Sequence, residues 1–167
     1  MNNAPARLLP VISVILAGAL LAAGCAPTNA GFGTGVVGSN PAPPLPETLL
    51  IVAPRPDLAN ALFSGKWEGV WFGWADQLRH TLVVETLSEQ TFSAVYAVGD
   101  SMAPWGRVDR RWTRLYGSAT PGKLVLRAGP VMNPHVIEYV MSSDGTMTAT
   151  LQPNAGPAYK AALKKTD

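Results

Sequence analysis

From Ser64 onward, apolar and polar residues alternate along the chain. Turn residues interrupt the pattern about every 8–12 positions, a spacing that predicts an all-β sandwich or barrel. Residues 78–87, LRHTLVVETL, put Leu78, His80, Leu82 and Val84 on one face and Arg79, Thr81, Val83 and Glu85 on the other. In TFSAVYAVG (91–99) Phe92, Ala94, Tyr96 and Val98 point inward, and LSEQ before it is a hairpin loop. Leu124 and Leu126 alternate with Lys123 and Arg127; His135, Ile137, Tyr139 and Met141 alternate with Val136, Glu138 and Val140. SSDG (142–145) predicts a hairpin turn, with Gly145 free to take positive φ. After it, Met147, Ala149 and Leu151 face in and Thr146, Thr148 and Thr150 face out. KWEGVWFGW and RRWTRLYG complete seven strands. Short connections favour an antiparallel meander, and closure would remove its edges. The expected fold is therefore all-β: a small antiparallel up-and-down β-barrel or an open sandwich, of about seven to eight strands.

The first strand departs from simple alternation. Trp67, Gly69, Trp71 and Gly73 share one face; Glu68, Val70, Phe72 and Trp74 share the other. Both faces are largely apolar, so the outer one needs a cover. The glycines leave room for a neighbouring ring or backbone. PDLANALF, just before, predicts one or two helical turns with Asp57 as N-cap and Leu58, Ala61 and Leu62 on one face, suited to plugging a barrel end.

The N-terminus has a different pattern. Residues 1–24 carry one cation, Arg7, then an apolar run from Leu8 to Leu21 and small residues, the layout of a secretory signal peptide. The run is interrupted by Pro10 and Gly18 and is short of the ~20 apolar residues of a membrane span. It ends in Ala22-Ala23-Gly24-Cys25, which resembles the lipobox of bacterial lipoproteins. The resemblance implies cleavage after Gly24, diacylation of the Cys25 thiol and acylation of the new amino terminus. The chain would then be held in a lipid bilayer through acylated Cys25, since two or more acyl chains anchor stably. Ala26, by the same resemblance, directs the protein to the outer membrane of a Gram-negative envelope, facing the periplasm. Cys25 is the one cysteine, so no disulfide forms within the chain.

Between anchor and β pattern, 25–56 is rich in glycine and then in proline, with almost no periodicity. Such composition predicts a tether spanning roughly 30 Å. TLLIVAP (48–54) is its β-prone part, an edge strand or a segment lying in a groove. The organisation is thus signal peptide 1–24, lipidated tether 25–56 and β domain 57–167, the last about 110 residues and of ordinary single-domain size.

Gly65-Lys66-Trp67 resembles the G-x-W that opens the first strand of calycins, the lipocalins and avidin-like proteins. That likeness implies an up-and-down barrel holding a small apolar ligand, with the tryptophan closing its base. It also implies a basic residue from a late strand over the tryptophan. Arg114, Arg127 and Lys160 are the stand-ins here.

Charge narrows the function. The chain carries +2, and losing Arg7 with the signal peptide leaves +1, so no general basic field argues for nucleic acid. RVDRRWTRLY (107–116) is the one dense cluster, with Arg110, Trp112, Arg114 and Tyr116 on one strand face. Facing inward, its arginines would clamp a carboxylate or phosphate beside stacked rings; facing outward, they form a solvated patch. His80 and His135 fall on apolar faces without a carboxylate, so no metal site is expected. No cofactor fingerprint, nucleophile motif or paired carboxylates appear; Glu68, Glu85 and Glu138 read as scattered and exposed. The expectation is a non-catalytic domain binding a small amphipathic ligand or envelope component, with Trp67, Trp71, Tyr96, Arg110, Trp112, Arg114 and Tyr139 as candidate ligand-binding residues. The rivals are a structural or assembly protein using its outer apolar face, and an accessory domain of a secreted hydrolase system.

Overall fold

The computed structural model describes residues 41–72, 77–103, 106–129 and 135–166. Cys25, Trp74 and Trp105 lie outside the described residues. Eight antiparallel strands close into a barrel. In chain order the strands are β1 (Gly65–Phe72), β2 (Arg79–Leu87), β3 (Thr91–Val98), β4 (Ser101–Ala103), β5 (Gly106–Val108), β6 (Arg111–Thr120), β7 (Lys123–Ala128), β8 (His135–Met141), β9 (Met147–Gln152) and β10 (Tyr159–Thr166). Around the barrel the order is β1-β10-β9-β8-β7-β6-β3-β2, an up-and-down meander, with β4 and β5 set aside as a separate hairpin between β3 and β6. The expected barrel or sandwich is thus a barrel. YKAALKKT, not expected as a strand, supplies the closing one, β10.

Alternation places the core as the pattern requires. Leu82, Ala94, Leu124, Leu126, Ile137, Tyr139, Met147 and Ala149 are fully buried inside. Outward positions such as Glu138, Thr148, Thr150, Lys160 and Lys164 are polar. That is the reverse of a lipid-facing barrel, whose apolar side chains point outward. Gly69 is required by closure. A Cβ there would run into the Ala162 carbonyl oxygen and sit 3.0 Å from Leu163 Cγ, so its absence lets β10 approach β1 between the two tryptophans. Gly145 takes φ +81° in the turn after β8, as its place in SSDG predicts.

One end of the barrel is closed. A single 3-10 turn, Ala61–Phe63, precedes β1 and buries Phe63, and the Trp67 indole N–H donates to the Phe63 carbonyl at 2.8 Å. The expected helix is reduced to this turn. Its N-cap is Asn60, which makes no side-chain cap bond, rather than Asp57, and Leu62 is exposed while Leu58 is buried. Asn60 Oδ1 instead accepts the Gly122 N–H at 2.9 Å, tying the turn to the β6–β7 hairpin. Lys165, opposite Trp67 on β10, holds its Nζ 5.6 Å from the ring centroid, a cation–π contact. The cation over the tryptophan is therefore Lys165, not Arg114, Arg127 or Lys160. YKAALKKT has little strand pattern of its own, so the sequence does not point to Lys165.

Residues 41–56, expected to belong to a tether, lie against the barrel instead. The Pro41 carbonyl packs over Gly99 at the end of β3, the Leu50 N–H donates to Glu85 Oε1 at 3.1 Å and the Val52 N–H to the Glu85 carbonyl at 2.6 Å. This strap crosses the outer face of β2 and β3, which explains why outward-facing Thr81, Val83, Val95 and Ala97 are buried. The chain's own preceding segment thus covers part of the outer surface, but not the β1 face for which a cover was expected. It lies over β2 and β3, leaving Phe72 on β1 36% exposed.

Candidate functional site

The other end of the barrel is open. Here β1, β3, β7 and β9 end and β2, β6, β8 and β10 begin, and their side chains surround a cavity of about 410 Å³. That is within the usual range for small-ligand sites. Leu78, Val98, Leu115 and Leu151 make apolar walls, while Tyr96, Thr113, His135 and Arg111 bring polar groups to it. Arg111 stands at the rim and has no ion pair among the described residues.

Below the cavity lies a buried aromatic group centred on His80. Its ring stacks on Trp71, centroids 4.9 Å apart and planes 14° from parallel, and meets Tyr96 at 5.0 Å. Tyr139 Oη and His80 Nε2 share a hydrogen bond of 3.1 Å. Burial pushes the imidazole pKa down to about 3, so His80 is neutral at ordinary pH. Loss of water likewise pushes Tyr96 up to about 12 and Tyr139 well above the usual phenol value. The Trp71 indole lies close enough to the Tyr96 hydroxyl to offset that rise slightly, yet falls short of hydrogen-bond geometry. Trp71 Nε1, His80 Nδ1 and His135 Nδ1 are buried without a hydrogen-bond partner among the described residues. A buried polar group left so costs about 1–3 kcal/mol, which a polar ligand atom or water could recover. No three His, Cys, Asp or Glu side chains group as a metal site requires among the described residues.

The structure divides the expected site residues. Tyr96 lines the cavity, Trp71 and Tyr139 lie in the group beneath it, and Trp67 belongs to the closed end. Arg110 precedes β6 and is exposed. Trp112 and Arg114 face outward with Tyr116, because they pair with outward Ala97, Val95 and Ser93. The interior face of β6 is instead Arg111, Thr113 and Leu115. Of the two facings left open for this cluster, the structure shows the outward one, so Arg110, Trp112 and Arg114 form no clamp inside the barrel. The signal lay in Leu115 and Ala119, whose parity marks the buried side.

Glu85 is also corrected: it is 3% exposed, not a solvent carboxylate. A register shift between Val84 and Thr86 sets it outward beneath the strap. Arg114 grips it as a fork, Nε to Oε2 at 2.6 Å and Nη2 to Oε1 at 3.0 Å, and also reaches the Thr48 carbonyl at 3.4 Å. This pairing holds the Glu85 carboxyl below its ordinary pKa and raises that of Arg114. A wider groove of about 1010 Å³ lies outside the barrel between strap and β6, bordered by Leu45, Thr48, Trp112 and Tyr116. It is open to solvent and floored by an ion pair already satisfied, so the barrel cavity is the better ligand site.

The chain matches no known protein-family model, and no curated protein matches it.

Proposed function

We propose that this chain is an envelope lipoprotein, anchored through acylated Cys25, whose calycin-like barrel binds a small amphipathic ligand without catalysis. The observation that carries the reading is the cavity at the open end, with apolar walls and Arg111 at its rim. An apolar body would lie along Leu78, Leu115 and Leu151, and a polar head would meet Arg111, Thr113 or His135. The closed end supports the calycin likeness: Gly65-Lys66-Trp67 opens β1, a 3-10 turn precedes it and Lys165 covers the indole.

Native mass spectrometry of the protein extracted from its own envelope tests the binding. A bound small molecule is expected, and Leu115→Trp, which fills the cavity, should lose it. Protein that carries no ligand and takes up no amphipathic probe refutes the reading. Mass analysis of the mature N-terminus should find Cys25 first and acylated; an unmodified Cys25 sinks the anchor. A second reading, assembly with a protein partner, rests on the exposed Trp112 and Tyr116 beside the strap, 41% and 79% exposed. It predicts crosslinking to one partner from position 116 that Leu115→Trp leaves intact.

A further inference from the structure

We propose that the open end of the barrel docks on the anionic glycerophospholipid surface of the bilayer that holds the chain. The proposal rests on the lipid-anchored reading, and the test below separates the two. Charge is distributed unevenly along the barrel axis. Arg79, Arg107, Arg110, Arg111, Arg127 and Lys160 all lie at the open end, on or beside the terminal residues of their strands. Among the described residues the acids there are Asp100 and Asp109, and Asp109 pairs with Arg107 at 2.7 Å, so the formal excess at this end is positive; Asp76 lies outside those residues. At the closed end Arg55 bridges Glu89, Lys66 bridges Glu68 and Lys123 bridges Glu138, and Lys164 and Lys165 are offset in number by Asp57 and Asp144. A chain that is nearly neutral overall thus presents a positive rim. Each such cation near an anionic lipid surface strengthens binding roughly fivefold. The attraction is confined to about one Debye length, so the rim must face the surface to use it.

The path of the strap supplies a second, independent observation. It runs from Val52 on Glu85 up to Pro41 on Gly99, so the described chain begins at the open rim. Residues 26–40 separate Pro41 from Cys25 and span at most about 55 Å when fully extended. The connection to the anchor therefore departs from the end that carries the positive charge. Met102, 56% exposed on the β4–β5 hairpin at this end, adds an apolar group suited to the headgroup layer. A mouth held at the surface would let an amphipathic ligand pass between bilayer and cavity without crossing water.

With Cys25 acylated, an introduced cysteine is the one free thiol. Ala155→Cys lies in the exposed turn between β9 and β10 at the open end, and Ser143→Cys in the exposed turn at the closed end. Each protein, extracted from its own envelope, is labelled with a fluorophore. It is then reconstituted into vesicles of phosphatidylcholine, alone or mixed with phosphatidylglycerol, carrying a lipid-attached quencher. The expected result is stronger quenching at 155 than at 143 in the mixed vesicles. The contrast should vanish in phosphatidylcholine alone, at high salt, and with Arg110→Glu combined with Arg127→Glu, whose barrel is checked by circular dichroism. Anchored protein with equal quenching at both sites, or more at 143, overturns the docking and leaves the anchor standing. A contrast that persists without anionic lipid overturns the charge argument. Protein that enters neither vesicle overturns anchor and docking together.

Discussion

Lowering the pH from 8 to 5 should destabilise this protein through His80. The imidazole is 1% exposed, stacked on Trp71, and burial holds its pKa at about 3. In the unfolded chain the same group titrates at 6.5. Below 6.5 the unfolded state therefore takes up a proton that the folded state refuses until about 3. The stability that depends on neutral His80 is complete above 6.5 and is lost as the pH falls toward 3. At pH 5 the unfolded state gains about 2 kcal/mol from this single site. The figure rests on the unfolded value and hardly changes for any folded pKa well below 5. At this size it corresponds to roughly 10 °C in Tm. Urea unfolding followed by tryptophan fluorescence, at pH 8 and pH 5, measures it in the wild type and in His80→Gln, whose amide carries no titrating group. The wild type should lose about 2 kcal/mol more than the variant across that interval. Every other group is common to the two proteins, so its contribution cancels in the comparison. Equal losses in the two proteins would refute the reasoning, by showing that His80 takes up a proton in the folded barrel.

Three further outcomes follow from packing. Trp67→Phe removes the bond to the Phe63 carbonyl and part of a buried ring, and should cost about 2–3 kcal/mol in urea unfolding while leaving ligand retention at the opposite end unchanged. Gly117→Ala drives a Cβ into the Phe92 ring and the Val125 carbonyl, so overpacking should lower stability by about 1–3 kcal/mol, read from the same unfolding curves. Glu85→Ala removes the acceptor of the Leu50 N–H, and hydrogen exchange at Leu50 should quicken at least about tenfold with the barrel intact. Because Arg114 depresses the Glu85 pKa, its hold in the wild type should be complete above the ordinary 4.5 and fade as the pH falls through the depressed value.

Alternation alone identified the inward residues of β2, β3, β7, β8 and β9, because one face of each strand is apolar and strands expose alternate faces. It left β6 undecided, because charged and aromatic residues occupy both parities there: Trp112 and Tyr116 stand outward, while Arg111 reaches the cavity rim. It failed on β10, whose YKAALKKT carries three lysines and two alanines and has weak strand propensity by itself. That segment is a strand because β1 and β9 leave a gap whose backbone groups must be paired.

The sequence by itself determined an all-β domain, its turns and most of its interior, since these follow from local periodicity and turn chemistry. Tertiary structure decided what depends on distant partners. Closure of the ring made β10 a strand and brought Lys165 over Trp67. The strap buried Glu85 against Arg114, residues 29 apart in the chain. Trp71, His80 and Tyr139 came together from three strands beneath a cavity whose walls no single segment contains. Long-range contact of this kind leaves no period in the sequence, because each residue's role is fixed by a neighbour whose identity the local pattern does not encode.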